Sequence, residues 1–481
     1  MAHPAFSRRS FLAAAGCAPF AVSTDAYGAS LLERGEVVSV RDFGAVASPG
    51  VDNTAAIQRA IDAVQSRGGG VVHIPETYEC GGNIVISRDG VTLHGPGAWL
   101  VNARVTIAPG CEECRIEGLG ILDNRGDDTS YLLDVRGRHC TFDNVSLVQD
   151  PAAGGYQLYV RPQASHCRFT GLRTRGSSGI FVAGHDHVFS GFHLEAKMEE
   201  RSSGDDGFAL KAPGTQTSNI LIENGVMRGY ASVLSIGSEV GTPRVDSDYS
   251  ASVRNVTVRN VEADRCARIL FIKPGALIYD YRNGLIEDVV LDDVRLSDPT
   301  GYSYVSAIMV RAARGAIVRR VTARRIAVRA RARALGLTAS GIEVSILDLG
   351  APARIEDVDL QLSFVDPHDG AAHGPGAPGY PIDHVAIVKK FNREHGSMAN
   401  ISLDVAGRGT RFGGIFVGAG LDDAVRIRRA RLQRIGVNPP ATVAGGGIWS
   451  DSRVQLEDVQ VEALNNRPYG GAGLRGRSTT R

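Results

Sequence analysis

The feature that most limits how this chain can fold is one short phrase, repeated at irregular intervals. It reads Cys114-Arg-Ile-Glu-Gly-Leu-Gly-Ile, then Cys140-Thr-Phe-Asp-Asn-Val-Ser-Leu, Cys167-Arg-Phe-Thr-Gly-Leu-Arg-Thr and His187-Val-Phe-Ser-Gly-Phe-His-Leu. Further copies begin at Asn219, Val253, Leu285, Ile317, Ile355, Met398, Val425 and Val454. In each copy apolar and polar residues alternate, a Gly or Asx intervenes, and alternation resumes. Alternation places the apolar residues on one face of a strand. A unit this short cannot bury that face alone, so successive copies must stack. At about 4.8 Å per strand, a dozen stacked coils make a rod roughly 60 Å long. The irregular repeat lengths argue against a sandwich or propeller.

The cysteines follow the same logic. Of seven, one (Cys17) lies in the leading segment, and Cys114, Cys140 and Cys167 hold the same place in three successive phrases. Stacking sets them in one internal column of buried small thiols. His187 holds that position in the fourth phrase and reads as internal too. Cys111 and Cys114 have metal-like spacing but no second pair, so zinc is not expected. Outside the cytoplasm these two cysteines are candidates for a disulfide.

Residues 1–29 read as an export signal: Ser7-Arg8-Arg9-Ser10-Phe11-Leu12 precedes an apolar run, and Ala26-Tyr27-Gly28 offers a cleavage point. The arginine pair resembles a bacterial twin-arginine signal, which implies a periplasmic or secreted protein. Ala14-Ala15-Gly16-Cys17 is faintly similar to a lipoprotein cleavage site. No later apolar run is long enough to span a membrane. With 53 Lys+Arg against 52 Asp+Glu, nothing in the charge suggests nucleic acid. Next, Ile57, Ile61 and Val64 share one helical face, Asp52 or Asn53 caps the start, and Gly68-Gly69-Gly70 ends the helix. The stretch from Val40 to about Gly95 resembles the N-terminal region of the pectate-lyase/rhamnogalacturonase superfamily. That resemblance implies an all-β fold: a single-stranded right-handed parallel β-helix over residues 30–466, with an N-terminal capping helix. Residues 467–481 are rich in Gly, Arg, Ser and Thr and are expected to be disordered.

Gly204-Asp205-Asp206-Gly207-Phe208-Ala209-Leu210-Lys211 carries the strongest chemical signal. Two adjacent carboxylates repel, which raises one pKa and leaves a proton on the pair. The flanking glycines allow a bend that turns both acids to one cleft. Gly-Asp-Asp-Gly is also good turn chemistry. The block from Arg175 to Lys273 resembles the central region of family-28 glycoside hydrolases, the polygalacturonases and rhamnogalacturonases. Their Gly-Asp-Asp segment matches at 204–206, and their terminal lysine at Lys273. Ser178 stands where the family has an aspartate, Ser232 where it has a histidine, and Phe271 where it has an arginine, with Arg268 nearby. The resemblance implies Asp205 as general acid, Asp206 as base and Lys273 as a contact to substrate charge. Ser178, Ser232, Lys211, Arg268, Tyr230 and Glu239 are further candidate substrate contacts.

Glu199 or Glu200, in an acidic loop, could supply the missing third acid. Asp246, Asp248, Tyr249 and the run Tyr279-Asp280-Tyr281-Arg282 could wall a groove. The loop Lys389–His395 could meet a distal sugar or a second copy of the chain. His185-Asp186-His187 could ligate a metal or act as a base; His185 and His187 share a face on a strand.

The expected function is hydrolysis of a poly- or oligosaccharide, pectin-like and uronate-containing in one version. Asp205 would protonate the leaving oxygen, and Asp206 would activate water from the other side. No cofactor is expected for a hydrolase. One alternative is a β-helical polysaccharide lyase, with Lys211, Arg268 or Lys273 as base and calcium held by Asp205 and Asp206. The other is a non-catalytic carbohydrate-binding rod.

Overall fold

Each repeated phrase is a strand pair hinged at a residue that tolerates left-handed backbone. A computed structural model describes residues 36–125, 131–149, 155–196, 204–242, 251–275, 280–299, 306–329, 340–347, 349–365, 384–392, 396–410, 413–435, 447–463 and 469–470. At the phrase's interruption stand Gly118, Asn144, Gly171, Gly191, Asn224 and Asn260, all at positive φ. Five residues earlier a second column of positive-φ corners begins with Glu113 and runs through His139, His166, Asp186, Asn219 and Asn255. Gly and Asn reach this region at little cost, which is why the phrase breaks there. The asparagines also bond to one another from coil to coil. Asn255 Nδ2 donates to Asn219 Oδ1 and Asn260 Nδ2 to Asn224 Oδ1, both at 2.7 Å.

The strands stack in parallel register into two large sheets, of 21 and 14 strands among the described residues. The first contains the repeated phrases and is creased at the corners. The second is built from short strands between phrases, such as Ser178–Val182, Gly204–Pro213, Tyr230–Gly241 and Leu270–Lys273. The architecture is the expected right-handed parallel β-helix. Helix Thr54–Gln65 covers its first coil, burying Ala56, Ile57, Ala60, Ile61 and Val64. Its start is held by the Asp52 carboxylate, which accepts from the Thr54 N–H at 2.9 Å, while the Asn53 side chain bonds to neighbouring loop backbone.

Inside runs a ladder of identical rings. Phe142, Phe169 and Phe189 stack at 4.5 and 4.6 Å, and Phe208 meets Phe189 edge-on at 5.2 Å. Phe208 thereby ties the strand that carries the acid pair to the core. Cys114, Cys140, Cys167 and His187 form the expected internal column, all essentially without exposure. The candidate Cys111–Cys114 disulfide is not formed. Both thiols are free, with Cys111 Sγ directed to the Ile86 carbonyl and Cys114 Sγ to that of Arg88.

His187 accepts the Cys167 N–H at Nδ1 and donates from Nε2 to the Ala183 carbonyl. Burial pushes its pKa down from 6.5 to about 4. Between pH 6.5 and 4 the unfolded chain takes up a proton that the folded chain refuses, so stability falls as the pH falls through that window. Urea unfolding should show a loss of about 3 kcal/mol across it from this residue. His187→Gln should be less sensitive to pH than the wild type; equal sensitivity would contradict the assignment.

The export segment 1–29, Glu199, Glu200, Asp246, Asp248, Tyr249, Tyr279 and, apart from Tyr469 and Gly470, the tail 467–481 lie outside the described residues. Among the described residues no helix is long and apolar enough to cross a membrane.

Candidate active site

The acid pair owes its position to a break in strand alternation. Phe208 is in the core, yet a side chain on the preceding Gly207 would also point inward, its Cβ 1.9 Å from Met227 Cε and 3.1 Å from the Ser232 carbonyl. Two successive inward positions reverse the parity, so Asp206 and Ala209 both lie on the outer side of the sheet. Gly207→Ala should therefore cost about 2–3 kcal/mol and displace the acids. Urea unfolding measures the first effect; a variant as stable as the wild type would refute this account of the bend.

Strand register then sets three rows across the outer face. The first contains Tyr156, Ser178, Asp206, Ser232 and Arg268. The second contains Tyr159, Phe181, Ala209, Ser235 and Phe271. The third includes Gly237 and Lys273, and Lys211 joins it through its bond to the Gly237 carbonyl. Asp206 is only 3% exposed, and its Oδ2 lies 3.5 Å from Lys273 Nζ. Lys273 also sits 4.5 Å from the centre of the Phe271 ring, and the Arg268 guanidinium lies 4.3 Å from it. The Phe271 ring thus holds two cations, of which Lys273 reaches Asp206. Lys211 is buried and donates to the Gly237 carbonyl and Ser238 Oγ, each at 3.1 Å.

Asp205 differs from its neighbour. As a residue it is more open to solvent than Asp206, and its N–H donates to the Ser177 carbonyl at 2.9 Å. Its pKa is raised, by the protein packed around it and then by the Asp206 charge. A hydrogen bond from the Asp206 N–H and the charges of Lys273 and Lys211 offset part of that rise. Burial lowers the pKa of Lys211, against the opposing pull of Glu239 and Asp206. Tyr156 completes the cluster. Its phenol is pushed well above its usual range by burial and by Asp205, Asp206, Tyr159 and Glu239. Beside it, Tyr159 and Phe181 stack at 4.8 Å, and the Arg161 guanidinium lies 4.2 Å from the Tyr159 ring.

The structure therefore brings together Asp205, Asp206, Lys211, Glu239 and Lys273 of the expected set. It removes others from reach. Tyr230 is fully buried in the core, with its hydroxyl 3.2 Å from Thr174 Oγ1, and cannot touch a substrate. Ser232, in the acid row, is 0% exposed, whereas Ser178 in the same row is no more enclosed than Asp206, at 5% against 3%. Arg268 is nearly buried, with its guanidinium on the Phe271 ring. His185 and His187 do not work together, because His187 faces the core and His185 is exposed.

Sequence reading missed Tyr156 and the aromatic pair Tyr159 and Phe181. The signal was present as a second, shorter phrase in which an outward residue sits between two aliphatics: Leu158-Tyr159-Val160, Ile180-Phe181-Val182, Leu270-Phe271-Ile272.

Fold and site define a right-handed parallel β-helix with a cluster of acids, lysines and a tyrosine on its outer face. No family model matches the chain. A stretch of 102 residues is 34% identical to the mannuronan C5-epimerase AlgE1 of Azotobacter vinelandii, over 18% of this chain; the chain covers 7% of that protein's length. Among solved structures, a mutant tailspike protein of E. coli bacteriophage HK620 superposes with a TM-score of 0.61 at 13% identity, over 92% of this chain and 78% of its own. The N-terminal fragment of bacteriophage Phi29 gene product 12 gives 0.56 at 11%, over 93% and 73%. A family 28 exopolygalacturonase of Yersinia enterocolitica gives 0.49 at 15%, over 78% and 79%. At such identities these are likenesses of fold alone.

Proposed function

We propose that the chain is a glycoside hydrolase acting on a poly- or oligosaccharide, with Asp205 as general acid. The observation that carries this reading is the asymmetry of the pair: Asp205 is exposed with a raised pKa, beside a buried Asp206 that faces Lys273. A carboxyl that keeps its proton can hand it to a leaving glycosidic oxygen. Asp206 then accepts a proton from the attacking water, and the charge of Lys273 favours a substrate carrying a carboxylate, such as a uronate. Tyr159 and Phe181 offer flat apolar faces for sugar rings. The HK620 tailspike was solved with a pentasaccharide, which supports an oligosaccharide ligand for a rod of this kind.

A second reading is proton abstraction beside a uronate carboxylate, as in a lyase or epimerase. Tyr156 within the acid cluster and the epimerase-like stretch favour it. Its calcium-dependent form fits poorly, because Lys273 Nζ already stands 3.5 Å from Asp206. A panel of neutral and acidic polysaccharides separates the readings. New reducing ends without ultraviolet-absorbing products support hydrolysis. Unsaturated ends support a lyase, and deuterium uptake from D2O without cleavage supports an epimerase. No product and no deuterium on any substrate would leave the binding rod and overturn the hydrolase.

A further inference from the structure

A second group of side chains lies at the opposite end of the short strands from the acid pair. Beyond Val160 and Val182, successive coils turn a corner at His166 and Asp186, both in left-handed backbone at φ 55° and 59°. His185 precedes the second corner and bridges to Ser165 beside the first. One ligand atom from each of His166, His185 and Asp186 falls within 4.8 Å of the others. Asp186 Oδ2 is 2.6 Å from His185 Nδ1 and 3.4 Å from His166 Nε2. Asp186 Oδ1 is engaged separately by Asn219 Nδ2 at 2.8 Å, which fixes the carboxylate and leaves Oδ2 turned to the two imidazoles. His139, one coil earlier, stacks on His166 at 4.6 Å and holds the plane of its ring.

We propose that His166, His185 and Asp186 bind a divalent transition metal of the zinc class. Two imidazole nitrogens and one carboxylate oxygen suit Zn2+, Ni2+ or Cu2+, whereas calcium prefers a shell of oxygens. The three side chains are 34–49% exposed, so water completes the coordination. Asn219 supplies the supporting hydrogen bond that such sites use to orient a ligand. Because His166 belongs to one coil and His185 and Asp186 to the next, the ion ties two coils together. It binds the folded chain and not the separated coils, so it stabilises the stack. The site is independent of the acid pair and of the sugar chemistry proposed for it.

The test is calorimetric titration of the full chain with Zn2+, paired with Co2+ absorption spectra and thermal melts with and without Zn2+. The expected result is one saturable equivalent, Co2+ bands typical of nitrogen and oxygen ligands, and a melting temperature raised by about 2–4 °C. His166→Asn, which keeps a residue tolerant of positive φ, and His185→Ala should each weaken binding at least about tenfold. Their melts without metal should stay near the wild type, and His193→Ala, an exposed histidine elsewhere, should bind normally. Absence of saturable binding overturns the proposal, as does equal binding by the His166→Asn/His185→Ala double variant.

Discussion

Asp205→Asn is expected to lower kcat/KM about 10²- to 10⁴-fold on whichever polysaccharide the wild type cleaves, the range that a positioned general acid contributes. Its melting temperature should stay within about 2 °C, because the substitution is isosteric, relieves the repulsion from Asp206 and keeps the backbone bond to Ser177. A pH profile adds a second reading. The acid works only while protonated, so activity should fall as the pH rises through its raised pKa. Removing the neighbouring charge with Asp206→Asn should move the Asp205 titration to lower pH, which NMR of the carboxyl carbon can follow. A variant at Asp205 with full activity would end the hydrolase reading.

The second large effect is expected at Lys273. Asp206 is only 5% exposed in its side chain and Lys273 15%. Lys273→Met strands a buried carboxylate and should cost about 3 kcal/mol, toward the low end for a buried pair because the lysine keeps some contact with water. The double variant Asp206→Asn/Lys273→Met should regain more than half of that loss, since no unpaired charge remains. Urea unfolding of the four proteins gives the coupling directly. A coupling near zero would mean that the lysine does not serve the acid.

Much of this molecule was legible before any coordinates. The phrase beginning at Cys114 predicted stacking. The cysteine column and the internal His187 followed from phrase alignment alone, and Gly and Asn marked the corners. The placement of Asp205, Asp206 and Lys273 on one surface was expected from the matched segments. The failures are instructive. Tyr230 was a candidate substrate contact, but its strand carries it into the core to Thr174. Tyr156 went unnoticed because its own strand holds no acid. It reaches the pair only because two neighbouring coils set it in the Asp206 row.

The chain's order of residues by itself determined that coils must stack, where each coil turns, and which small side chains line the interior, because alternation and backbone tolerance are local properties. Tertiary structure alone decided which polar groups meet. Gly207 and Phe208 both face inward, so counting alternate residues back from the core residue Phe208 assigns Asp206 to the wrong face. Lys273 is 67 positions from Asp206 in the chain and arrives 3.5 Å away only when intervening coils fix the number of residues per turn. Those coils vary in length, and their lengths are settled by packing across the whole rod rather than by any single phrase.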